Sequence, residues 1–90
     1  MSYDYQTERS SLFTESGQKM FLKIRDEAFR LGDIAGAFSA DKTWKHVTGS
    51  TWQMLACLDR MVELKEIVEV SHPNSEWGQN RIFRRTNPSA

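Results

Sequence analysis

Few side chains in this 90-residue chain are of a type and spacing that could carry catalysis. His46 and His72 lie in separate segments. Cys57 stands on the flank of a helical stretch with no activating neighbour in sequence. A Cys/His pair could therefore be assembled only by the fold. A zinc site needs about four ligands, commonly paired Cys or His at short spacing, and there is no such pair. The five glycines are scattered, so no phosphate cradle is present. Adjacent acids such as Asp26-Glu27 on a helix normally face water, and the four methionines are gap fillers of a core. No enzyme activity, metal or cofactor is expected. What remains is a basic cluster, Arg81, Arg84 and Arg85, together with exposed aromatic and polar side chains, which are equipment for binding.

The composition sets limits on what is bound. The chain is long enough for one domain with one modest core. Hydrophobic content of 39% with 27% charged residues is ordinary for a soluble domain. No apolar run approaches a bilayer's width, and the N-terminus lacks a charged-then-apolar signal pattern, so a cytoplasmic location without membrane partners is expected. A single cysteine agrees with a reducing compartment. Twelve basic residues balance twelve acidic ones, and this neutrality provides no general attraction to a polyanion.

The elements that would position these groups follow from periodicity. Residues 1–13 are polar, without a sustained period, and are expected to be a flexible N-terminal arm. A first helix starts near Thr14 or Ser16, either of which can cap it, and ends at Gly36. Met20, Phe21, Ile24, Ala28 and Leu31 form its core stripe. Leu22 and Phe29 point nearly the opposite way and need their own cover, either Leu12 and Phe13 from the arm or a second copy in a homodimer. Ala37 and Phe38 suit a very short strand. Ser39 or Asp41 would cap a brief second helix through Val47, with Trp44 and Val47 inward. Gly49, in the turn 48–50, permits a tight path into a third helix. There Met54, Leu55, Leu58, Met61 and Val62 share one side, while Trp52, Gln53, Ala56, Arg60 and Glu63 project from the other. Ile67 to Val70 reads as a strand, His72 to Ser75 as a turn, Glu76-Trp77-Gly78 as a tip, and Gln79 to Arg85 as the returning strand.

The run Leu58 to Val70, LDRMVELKEIVEV, resembles the winged helix-turn-helix pattern of a leucine-rich recognition helix entering the first wing strand. Leu58, Met61 and Ile67 occupy its apolar places, and the likeness extends over roughly Gly17 to Arg85. Lys65 replaces the usual glycine at the helix end and would have to adopt that backbone turn itself. The arrangement is also similar to small helix-turn-helix proteins of bacteriophage and prophage genomes. The resemblance implies an α+β, mostly helical fold: a winged helix-turn-helix of three helices plus a small antiparallel β-hairpin wing. It would occupy residues 14–86, followed by a C-terminal tail at 87–90.

Carried over by position, the resemblance implies that Ser50, Thr51, Trp52, Gln53, Ala56 and Arg60 approach double-stranded DNA, with Arg81, Arg84 and Arg85 as wing contacts. Gln53 could read adenine and Arg60 guanine in the major groove. Ser50 and Thr51, at a helix start, could hold a phosphate. The implied function is a small DNA-binding transcriptional regulator. Each assignment has a plain alternative: Gln53 and Arg60 as an ordinary solvated face, Trp52 packed beneath the wing, and strand arginines that deter sheet aggregation. Glu63 and Asp59 would repel phosphate unless turned away. The competing function is a non-enzymatic protein-interaction module on the same scaffold, such as a phage accessory or inhibitory factor. It would use exposed Trp77, Trp52 or the Leu22/Phe29 stripe.

Overall fold

Thr14 opens the longest helix of the computed structural model, which describes residues 3–70 and 81–86. Its hydroxyl accepts from the Gly17 amide at 3.0 Å, satisfying one of the helix's free donors. This helix, α2 (Glu15–Ala35), ends at Gly36, whose φ of 82° is the left-handed stop that glycine tolerates. Ile24 and Ala28 are fully buried, and Met20, Phe21 and Leu31 pack beside them, as the expected stripe requires.

The N-terminal residues depart from the expected arm. Tyr5–Glu8 form a helical turn, α1, and Arg9–Phe13 a 3-10 turn. Leu12 is only 1% exposed, so this segment belongs to the core. Gly17 makes that docking possible: a Cβ there would lie 2.1 Å from the Ser11 carbonyl oxygen. The physical reason for the difference is length. A segment this short has no helical period of its own and is ordered by what it packs against.

Strand β1 (Ala37–Ser39) leads directly into α3 (Ala40–Thr43). The second helix is shorter than expected, stopping at Thr43 instead of Val47, although Trp44 and Val47 do pack on the core. Ser39 precedes it without a side-chain cap bond and donates instead to Asp41 Oδ1 at 2.5 Å. The chain then enters α4 (Thr51–Glu63), β2 (Ile67–Glu69) and β3 (Ile82–Arg85). Among the described residues there are thus four α-helices where three were expected.

The strands form an antiparallel sheet in the order β1-β3-β2. Phe38 pairs with Phe83 in register, and their rings stack with centroids 6.1 Å apart. With Ile67 they close the sheet's inner face against Ile24, Ala28, Leu58 and Met61. Lys65 has φ 64° and so adopts the left-handed turn between α4 and β2 without being glycine. The expected turn His72–Ser75, the tip with Trp77, the first residues of the returning strand and the tail 87–90 lie outside the described residues. Among the described residues no helix is long and apolar enough to cross a membrane.

Candidate interaction surface of helix α4 and the sheet

Helix α4 was expected to bury one side and offer the other. Its inner side is as expected, with Met54, Leu55, Leu58 and Met61 all buried. Its outer side is not free. Ala56, expected on the exposed ridge, is completely buried, and Cys57 beside it is too. The cover is the N-terminal segment: α1 and the 3-10 turn both pack on α4. Burial alone pushes the Cys57 thiol up to about 12, so it stays protonated near neutral pH and is a poor nucleophile.

Polar contacts fasten the segment at both ends of this surface. The Tyr3 hydroxyl donates to Asp59 Oδ2 at 2.5 Å, and Tyr5 donates to Glu63 Oε1 at 3.0 Å. Arg9 Nε reaches the same Glu63 oxygen at 3.2 Å. Gln53, the expected adenine reader, is half-buried and directs its amide toward the Ser11 carbonyl at 3.4 Å. Arg60, the expected guanine reader, pairs with Glu63 at 2.5 Å, and its guanidinium lies 5.4 Å from the Phe13 ring centre. Arg9 lies near the same ring, at 5.2 Å. These donors, led by Arg60, hold the Glu63 carboxyl below its usual range. The acids Asp59 and Glu63, a concern for phosphate binding, are thus turned into intramolecular pairing.

The three arginines expected as wing contacts have separate surroundings. Alternation along β3 puts residues 81, 83 and 85 on one face and 82 and 84 on the other. Arg81 grips Asp59 at 2.7 and 3.1 Å and Glu69 at 2.8 and 3.0 Å. Burial opposes its charge, yet the hydrogen bonds to Asp59 and Glu69 outweigh this and raise its pKa. Arg85 holds Asp33 at 2.7 and 2.9 Å and lies 4.2 Å from the Phe29 ring centre. Arg84 alone of the three faces solvent, with no ion pair to a described residue.

Of the remaining candidates, Ser50 and Thr51 are exposed at the start of α4, where Ser50 makes no side-chain cap bond. Trp52 is half-buried. On α2, Leu22 stays 52% exposed. Phe29 is half-buried, with Arg25 and Arg85 over its ring at 5.0 and 4.2 Å. The cover expected from Leu12 and Phe13 leaves Leu22 open, because Leu12 enters the core and Phe13 is itself 51% exposed.

Two of the hollows among the described residues adjoin α2. One, of about 320 Å³, lies among Arg25, Phe29, Lys65, Glu66, Arg85 and Thr86. The other, of about 480 Å³, has Glu27 and Arg30 on its wall, paired with each other, and His46 opposite. Tyr3, Tyr5 and Arg9, which fasten the N-terminal segment to α4, were not among the expected site residues. Their signal was slight: two tyrosines and an arginine spaced through an otherwise polar stretch.

Comparison of the chain with models of known protein families, with curated proteins and with solved structures gave no match.

Proposed function

We propose that this chain is a non-enzymatic binding module on a winged helix-turn-helix scaffold and that its partner is a protein. From α2 onward, the order helix, strand, helix, helix, strand, strand, with the sheet arranged β1-β3-β2, supports the scaffold. One observation carries the choice of partner. The outer side of α4, which a DNA-reading helix must present to the groove, is filled by the chain's own residues 3–13, with Ala56 fully buried. The cationic groups needed for phosphate are mostly engaged as well, since Arg60, Arg81 and Arg85 each hold a carboxylate. Neutral overall charge points the same way. Fluorescence anisotropy with a labelled mixed-sequence duplex tests this: no binding is expected even at low salt.

A second function, DNA binding by a regulator, is favoured by Ser50, Thr51 and Arg84, which remain exposed. It would require residues 3–13 to leave α4. Loosening that segment with Tyr3→Phe, Tyr5→Phe and Arg9→Ala would then create duplex binding. With about five phosphate contacts, log affinity would fall against log salt with a slope of about −4 to −5.

A further inference from the structure

We infer that the hollow between α2 and the α4–β2 turn is a receptor for a carboxylate on an acidic, partly apolar segment of a partner protein; this rests on the protein-binding function proposed above. Its walls carry three cations, Arg25, Lys65 and Arg85, and one carboxylate, Glu66. Counting Asp33, which holds Arg85 from outside, three positive groups face two negative ones. A chain with no net charge therefore concentrates a local positive excess here.

The two guanidiniums are held in place before any ligand arrives. Arg25 uses Nε and Nη2 on Glu66, at 3.1 and 2.6 Å. Arg85 uses only Nη1 on Asp33. Both lie over Phe29, which fixes their planes. Arg25 Nη1 and Arg85 Nε and Nη2 make no hydrogen bond to a described residue, so N–H donors remain for an arriving oxygen. Thr86 secures the floor by donating its hydroxyl to the Lys65 and Glu66 carbonyls at 2.8 and 2.9 Å. The left-handed turn at Lys65 lies on the hollow's rim and keeps that residue exposed.

The surroundings select a protein segment over the other occupants. Leu22 stands three residues before Arg25 and seven before Phe29, on the same side of α2, and is half-exposed. It offers an apolar contact next to the charged one, which suits a peptide with a leucine-like residue beside its acid. A second copy whose two-fold axis passed through this hollow would set the three cations against themselves.

The test is an amide chemical-shift titration of the full chain. The probes are a blocked acidic peptide, Ac-LEDL-NH2, its neutral counterpart Ac-LQNL-NH2, inorganic phosphate, and a short mixed-sequence duplex. The acidic peptide is expected to shift resonances of Arg25, Phe29, Lys65 and Arg85, and to bind roughly tenfold more tightly than the neutral one. Lys65→Gly, which suits the local backbone and so preserves folding, should weaken it several-fold, and Arg85→Gln more. Equal binding of both peptides, no shift at these residues, or a larger shift there from phosphate or duplex would overturn the inference. Duplex-induced shifts at Ser50, Thr51 and Arg84 would instead overturn the proposed protein-binding function, without touching the hollow.

Discussion

The Tyr3 hydroxyl donates to Asp59 across 56 positions of sequence, joining the first described residue to the middle of α4. Asp59 also receives Arg81 from the sheet, so one carboxylate ties the N-terminal segment, the central helix and the hairpin together.

This junction is expected to give the protein an alkaline limb of stability. Burial first, then the hydrogen bond to Asp59 and its charge, raise the Tyr3 pKa above its ordinary value of 10.0. A raised pKa contributes stability that is complete below the unfolded value and lost as pH climbs above it. The melting midpoint should therefore decline above about pH 10. Tyr3→Phe should flatten that decline while lowering stability at neutral pH by about 1–2 kcal/mol. Thermal melts of both proteins from pH 7 to 11 check this.

Leu12 should behave as a core residue. Leu12→Ala is expected to destabilise by about 2–5 kcal/mol, comparable with Leu58→Ala, since both leave a cavity. Urea denaturation compares them. A Leu12 variant with an unchanged midpoint would restore the flexible arm.

Replacing Arg81 leaves Asp59 and Glu69 facing each other's surroundings without their shared cation. The pairs are partly exposed, so the loss from Arg81→Gln is expected near the lower end for such sites, about 2–3 kcal/mol. A double-mutant cycle with Asp59→Asn should show that most of this loss is coupling between the two.

Lys65→Gly should stabilise. At φ 64° a side chain costs about 1 kcal/mol relative to glycine, which is offset only in part by glycine's freer unfolded chain. A rise in melting midpoint of a few degrees is the expected readout.

Much of the scaffold was legible because local chemistry decides it. Thr14 and Gly36 mark the ends of α2, and the spacing of Met54, Leu58 and Met61 orients α4. Even the turn at Lys65 follows from helix meeting strand without a glycine. What escaped was set at long range. Residues 3–13 have no period, and their partners Asp59 and Glu63 lie more than fifty positions away. The surface of α4 nonetheless carried a warning. Met54-Leu55-Ala56-Cys57-Leu58 is a continuous non-polar run, and at about 100° per residue it encircles the helix. A helix apolar all round must be covered all round. The fates of Arg81 and Arg85 depended on which carboxylates the fold brought near, and only their shared strand face was implicit in the spacing.

The enclosure of α4 is tested most directly by the native-state labelling rate of an Ala56→Cys thiol, counted by mass spectrometry alongside Cys57. The enclosed helix predicts that both thiols react slowly and together, only as the protein opens. Rapid modification of position 56 in a protein that remains folded would contradict it and return the outer side of α4 to solvent.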